Sequence, residues 1–299
     1  MIPKRIYMEK TQGVIMARIA FALIALLLTA GLASAQGTEG RLTTIDKAKI
    51  IKIAYRTDAA PFSFANENKE PAGFTVDLCK LVVRSIENQL GVQGLDIQWL
   101  PVNTQSRFEV VANGTADMEC GSSTATLSRM KQVDFSSFVF VESTGLVVKR
   151  DSNIRSFNDL AGKKIAVIAG TTNERAVSGK NQQLNLNARI VEVTDRNDGV
   201  AALEGGRADA FASDKLLLVG AQFKNPQALI MLPDDLSMEP YAIVLPRGDW
   251  ALRLAVNTAL AQIYGSGEVL TIYNKWFSQL GLRPGLLLGA AYALGTFPE

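Results

Sequence analysis

Two short stretches of the chain gather the side chains that hold anions. In Gly121-Ser-Ser-Thr-Ala-Thr-Leu-Ser-Arg129, hydroxyls and backbone N–H groups cluster just ahead of an arginine. The pattern reads as a strand ending and a helix beginning, and a helix N-terminus attracts anions through its unpaired N–H groups and its dipole. Arg129, one turn further on, can fork two donors onto a carboxylate. The same residues also fit a plain helix start, with Thr126 as the cap and Arg129 on a solvated face. Gly170-Thr171-Thr172-Asn173 repeats the logic later in the chain. Asp214, at the end of a strand, suits an ammonium group and equally suits a cap for the helix from Lys215. Arg56 ends the first strand, and Arg107 follows Asn103-Thr104-Gln105-Ser106 at a helix start. A cation there opposes the helix dipole, so an anionic ligand or a neighbouring carboxylate such as Glu109 must compensate.

The chain has no histidine and two cysteines. Imidazole acid–base catalysis and histidine metal sites are thereby excluded, and two cysteines do not complete a zinc site. No cofactor is expected.

The elements that must position these residues alternate. A strand at 51–55 is followed by a turn-rich stretch and a helix in which Val76, Cys79, Val82, Val83, Ile86 and Leu90 recur at helical spacing. Strand, helix and strand follow at 96–100, 106–112 and 116–120, and the alternation resumes at 164–168 and continues to 241–245. Two amphipathic helices, 250–264 and 268–280, close the globule. Such alternation predicts an α/β fold with largely parallel sheets covered on both faces. Gly114-Thr-Ala-Asp117 and Gly206-Arg-Ala-Asp209 each end a helix and lead into a short strand that delivers polar residues, Ser122 and Thr124 in one case, Ser213 and Asp214 in the other. Ligands of open α/β sheets bind beyond the carboxyl ends of the strands. Two similar units would set two such edges face to face.

Residues 19–32 form an apolar run preceded by Lys4, Arg5, Lys10 and Arg18 and followed by Ala33-Ser34-Ala35. That order is expected of a cleaved signal peptide over residues 1–35, since a membrane span needs about 20 apolar residues. The leader holds four of the 31 Lys and Arg and one of the 29 Asp and Glu, leaving 27 basic against 28 acidic residues. A body so close to neutral offers no field for nucleic acid or an anionic membrane. Its 264 residues suit two lobes rather than one core. In an exported chain the pair Cys79 and Cys120 points to a disulfide, with two buried thiols as the alternative.

Over residues 50–280 the sequence resembles the periplasmic amino-acid-binding proteins of ABC transporters, solute-binding protein family 3. The resemblance rests on Tyr55-Arg-Thr-Asp-Ala-Ala-Pro-Phe-Ser-Phe64, Gly73-Phe-Thr-Val-Asp77, Arg107, Asn113-Gly114 with Asp117, and Glu119-Cys-Gly-Ser-Ser-Thr124 with Arg129. Phe135 and Phe138, Asp159-Leu with Gly162-Lys163, Gly170-Thr-Thr172 and Lys275-Trp-Phe277 continue it. The Arg56 region and the Glu-Cys-Gly-Ser block are most similar to the glutamate/aspartate-binding branch.

That resemblance implies a two-lobed periplasmic-binding-protein type II fold with the ligand in the cleft between the lobes and two hinge crossings. Lobe 1 is expected over 44–142, continued by 244–299, and lobe 2 over 143–243. Arg129, Ser122, Thr124 and the backbone at Thr172 are implied to hold an α-carboxylate, and Asp214 an α-ammonium. Arg56 and Arg107, with Thr104 and Thr171, are implied to meet a side-chain carboxylate. Arg196 stands where the branch often carries a histidine and adds positive charge. The implied protein is a non-enzymatic, periplasmic monomer that binds glutamate or aspartate and delivers it to an ABC permease in the inner membrane. Its rivals are a binder of glutamine or of polar amino acids broadly, and a periplasmic dehydratase of the cyclohexadienyl type on the same scaffold.

Overall fold

Strand β1 (Ile50–Arg56) shows how the first sheet is made: Ile51, Ile53, Ala54, Tyr55 and Arg56 are all buried, so both of its faces are covered. That is the pattern of a central parallel strand. The computed structural model describes residues 40–224 and 227–298, and the leader expected over 1–35 lies outside them. β1 pairs in parallel with β5 (Asp96–Val102) on one side and with β6 (Met118–Glu119) on the other. Two antiparallel strands, β13 (Glu239–Pro246) and β7 (Val133–Glu142), complete the order β5-β1-β6-β13-β7. A small three-stranded sheet, β2 (Asp58–Ala59), β3 (Ser63–Ala65) and β4 (Pro71–Ala72), follows β1 directly.

The second sheet repeats that plan. Central β9 (Lys164–Ile168) pairs in parallel with β10 (Arg189–Val193) and β11 (Ala210–Asp214), and β8 (Thr144–Lys149) and β12 (Leu229–Met231) add antiparallel edges. The recurrent Gly-x-Ala-Asp turn does the same work in both. Asp117 donates its N–H to the Lys52 carbonyl and accepts the Lys52 N–H on Oδ2 at 2.7 Å; Asp209 does the same with Lys164, accepting at 2.8 Å. Gly114 and Gly206 have φ of +80° and +75°, a left-handed conformation that glycine adopts without penalty. The repeated tetrapeptide is one device used twice to dock a third strand beside the first.

The chain passes between sheets at Ser143, from β7 into β8, and returns ahead of β13, whose Glu239 pairs with Glu142. Each lobe is thus an α/β layer structure with its own core. The first core packs helix α2 (Phe74–Leu90) with the later helices α7 (Trp250–Gly265) and α8 (Glu268–Phe277) over the sheet. Within it Phe62, Phe140 and Tyr241 meet at ring-centroid distances of 4.8 to 6.3 Å. The apolar stretch after Gly285 forms a helix, Leu286–Leu294, which buries Leu288 and Tyr292 against the same body. Cys79 of α2 and Cys120, just past β6, form a disulfide across a separation of 41 residues. Closing a loop of that length stabilises the fold by about 4 kcal/mol in the chain-entropy picture.

Two expected helix starts come out differently. Arg129–Lys131 is a single 3-10 turn, because Val133 already enters β7 and leaves no room for an α-helix. Arg107 lies in the turn before a four-residue helix, Glu109–Ala112. Neither arginine faces the dipole of a long helix, so their placement rests on side-chain contacts instead.

Candidate functional site

The strand ends and turns just described converge on one small cavity between the sheets. It is lined by Arg56, Thr104, Arg107, Ser122, Thr124, Thr171, Thr172, Asn173, Arg196 and Asp214. Arg56 is the last residue of β1, Ser122 and Thr124 follow β6, and Asp214 ends β11, so three strands of two sheets aim their carboxyl ends at it. Thr171 caps the helix Thr172–Leu184: its hydroxyl accepts from Glu174 N–H at 3.1 Å and donates to the Ile168 carbonyl at 2.7 Å. That hydroxyl proton is already committed, so Thr171 shapes the wall and has no side-chain proton to give a carboxylate. The Thr124 hydroxyl is likewise committed, donating to Glu239 at 2.6 Å.

Of the ten residues singled out from sequence, Arg129 alone does not line the cavity. It stands behind Thr124, donating from Nη1 to that residue's carbonyl at 2.8 Å while Nη2 is buried without a partner. Its guanidinium lies 4.8 Å from the ring centre of Phe108, and the Arg107 guanidinium lies at the same distance from that ring. The ring's negative faces separate and hold two cations that otherwise repel. Nothing in the spacing of Phe108 announced this role.

Asn173 and Asp58 were also missed. The Asn173 amide donates to Asp214 and to the Thr144 hydroxyl, both at 2.7 Å, and so fixes the Asp214 carboxylate. Asp58 pairs with Arg56 at 2.6 Å and with Arg196 at 3.0 Å. A polar residue two positions after a strand's terminal arginine was the available signal for Asp58. Asn173 was visible only as part of the Gly-Thr-Thr-Asn turn.

The electrostatics are those of a dry, cationic chamber. Burial, then repulsion from Arg196 and Arg107, brings Arg56 down to about 10. Burial and Arg129 do the same to Arg107, and burial and Arg175 to Arg129. Burial pushes the Asp214 carboxyl up, reinforced by Glu239. Glu119, fully buried beneath the site, is also pushed up by burial, against the pull of Arg107 and Arg56. A Cβ on Gly121 would overlap a Glu119 carboxylate oxygen and meet Arg56 Cγ at 3.0 Å, so the chain needs glycine there for a close approach. Several donors aimed inward have no protein partner: Arg56 Nε and Nη1, Arg107 Nε, the Ser122 hydroxyl and Arg196 Nε. Orphaned buried donors cost about 1–3 kcal/mol each, more when charged. An acceptor-rich anion offsets that cost.

Residues 51–279 match the bacterial extracellular solute-binding proteins, family 3. The chain belongs to that family. Among its relatives, the L-glutamate/L-aspartate-binding protein of Pseudomonas aeruginosa is 37% identical over 269 residues, covering 88% of this chain and 89% of that one. Among solved structures, a mutant of the arginine-binding protein ArgBP from T. maritima superposes with a TM-score of 0.71 at 28% identity, covering 79% of this chain and 99% of the other. The ancestral amino-acid-binding protein AncCDT-1, a precursor of cyclohexadienyl dehydratase, reaches a TM-score of 0.69 at 27% identity, covering 79% of this chain and 99% of that one. Family membership accounts for the paired lobes. In this chain four arginines gather about a small cavity, with Asp58 held among them below the ordinary carboxylate range. Burial pushes Asp58 upward, but Arg56 and Arg196 together outweigh it.

Proposed function

We propose that this chain is the periplasmic, ligand-binding component of an ABC importer and that it binds glutamate or aspartate. The observation that carries the reading is the set of buried donors on the cavity-lining residues that have no protein partner. At one end Ser122 and the backbone at Thr172 take the α-carboxylate, and Arg129, held behind them by the Thr124 carbonyl with its Nη2 unpartnered, adds the charge that favours it. Asp214, oriented by Asn173, takes the α-ammonium. At the other end Arg56 offers Nε and Nη1, while Thr104 fixes its remaining nitrogen at 2.8 Å. Arg107 and Arg196 add charge there for a side-chain carboxylate, and Thr171 closes the wall. Lobe 1 comprises residues 44–142 with the chain from β13 onward, and lobe 2 the residues from 143 up to β13; hinge motion at the two crossings admits and encloses the ligand. The closed monomer then docks on an inner-membrane permease.

The reading is non-enzymatic. The likeness to AncCDT-1 favours weighing a dehydratase, which needs a positioned acid or base. Glu119 is fully buried and is not among the cavity-lining residues, and Asp214 is held by Asn173 for an ammonium. Calorimetric titration of protein stripped of carried-over ligand, with glutamate, aspartate, glutamine and asparagine, tests the proposal. One-to-one binding of the two acids, at least a hundredfold tighter than of the amides, is the expected result. Equal binding of acids and amides overturns the assignment and makes this a binder of polar amino acids generally.

A further inference from the structure

The Asp58 carboxylate divides its two oxygens between lobes. Oδ1 takes Arg56 Nη2 at 2.6 Å, within the first lobe, and Oδ2 takes Arg196 Nη1 at 3.0 Å, from the second. Arg196 is the first residue of a helix, Arg196–Glu204, whose capping residue Asp195 is occupied with Asp198 N–H. A cation at that position opposes the helix dipole, and its ion-pair partner is the carboxylate across the cleft. Asp58 is itself anchored by pairing of β2 with β3, Asp58 opposite Phe64. The side chains of Asp58 and Arg196 keep only 19% and 13% of their surface exposed, so the pair is partly withdrawn from water where the lobes meet.

We propose that Asp58 is a positioning residue that latches the closed cleft. It draws Arg196 across from the second lobe and turns the free edges of Arg56 and Arg196 toward the same end of the cavity. The free atoms agree with this: Arg56 Nε and Nη1 and Arg196 Nε are left buried and unpartnered at that end, together with Arg107 Nε. Arg196 thus serves the ligand through Asp58, as part of a chain of three alternating charges that is complete only when the lobes are together. The contacts beside it at the cleft are weaker. Thr124 and Thr172 hydroxyls stand 3.5 Å apart, and Arg175 reaches the Ser128 hydroxyl at 3.4 Å. Asp58–Arg196 is the ion pair joining the lobes at this cavity among the described residues.

The inference rests on the binding reading but is tested independently of the ligand's identity. A double-mutant cycle of wild type, Asp58→Asn, Arg196→Met and the double variant is followed by the dissociation rate of whichever of the four amino acids wild type binds most tightly. Each single change is expected to speed dissociation about tenfold, and the double variant to be no faster than the singles. The melting temperature of ligand-free Arg196→Met is expected to equal that of wild type, since the pair forms on closure; Arg196→Gln replaces it should Met at that position fail to fold. Multiplicative effects in the double variant, unchanged rates in the singles, or an equal loss of ligand-free and ligand-bound stability would each overturn the latch. Binding of amides in place of acids, with the coupling intact, would overturn the ligand assignment alone.

Discussion

Replacing Arg56 by glutamine keeps much of the side chain's volume and removes its charge. Arg56 is 1% exposed, and with Nη2 given to Asp58 and Thr104 it has Nε and Nη1 left for a ligand. Hydrogen bonds to charged groups contribute about 1.5–3 kcal/mol each, so the fork is worth about 3–6 kcal/mol to a side-chain carboxylate. Part of that is offset. Burial, Arg196 and Arg107 hold Arg56 at about 10 against an ordinary 12.5, a tension of about 3 kcal/mol at roughly 1.4 per unit. Glutamine at position 56 relieves it, while leaving Asp58 with Arg196 alone. The net loss for glutamate is then up to about 3 kcal/mol, or up to roughly 150-fold in affinity. Free glutamine offers the fork one neutral oxygen, and its loss should stay below about tenfold. Calorimetry on wild type and Arg56→Gln with both ligands measures the two ratios, with far-UV dichroism to establish that the variant is folded. If both ligands weaken by the same factor, Arg56 supports the cavity without reading charge, and the placement of the side-chain carboxylate is wrong.

Gly121→Ala adds one methyl where Glu119 and Arg56 already touch the backbone. Overpacking of this kind costs about 1–3 kcal/mol, and because Arg56 must move, glutamate affinity should fall at least tenfold while the variant still folds; unchanged affinity by calorimetry refutes the close approach. Glu142, at the crossing between lobes with its carboxylate accepting from Ser143 N–H at 2.9 Å, is raised by burial from 4.5 to about 7. Below pH 4.5 folded and unfolded chains both hold the proton. Between there and pH 7 the folded chain holds more, so this group's contribution to stability is lost as pH rises, by up to about 3 kcal/mol. Denaturant unfolding of Glu142→Gln should therefore match wild type near pH 4.5 and exceed it at pH 8, and equal stability at both pH values refutes the shift.

Most of the fold was legible because its signals are local. Buried strands such as 164–168 read as short apolar runs, and the Gly-x-Ala-Asp turn repeats because a left-handed glycine and a backbone-binding aspartate serve the same purpose in each sheet. The two helix starts at Arg107 and Arg129 misled for an equally local reason. A capping threonine at 126 looks the same whether one turn or four follow it, and what ended the turn was the pairing of β7 with β13, a contact over a hundred residues away. In the site, the arginines and Asp214 could be picked out by type and position. Phe108 could not, and Asn173 and Asp58 left only faint positional signals, since each acts on another side chain brought near by the fold. Ring-to-guanidinium and amide-to-carboxylate contacts of this kind leave no periodicity in the sequence.

The charges about the cleft show why no single arginine settles the ligand. Four guanidiniums, Arg56, Arg107, Arg129 and Arg196, face four carboxylates there, Asp58, Glu119, Asp214 and Glu239, while Arg175 at the rim is exposed to water. With all ionised the buried charges balance. Burial pushes Glu119 and Asp214 toward their neutral forms, and a proton on either leaves one cation unmatched. An acidic amino acid carries one net negative charge and restores neutrality in the closed chamber, whereas glutamine leaves the unmatched buried charge, worth roughly 3–5 kcal/mol where a pair is broken. Arg56→Gln removes that cation, so it should do more than weaken glutamate: it should bring glutamate and glutamine toward equal affinity, because the balance that excluded the amide is gone.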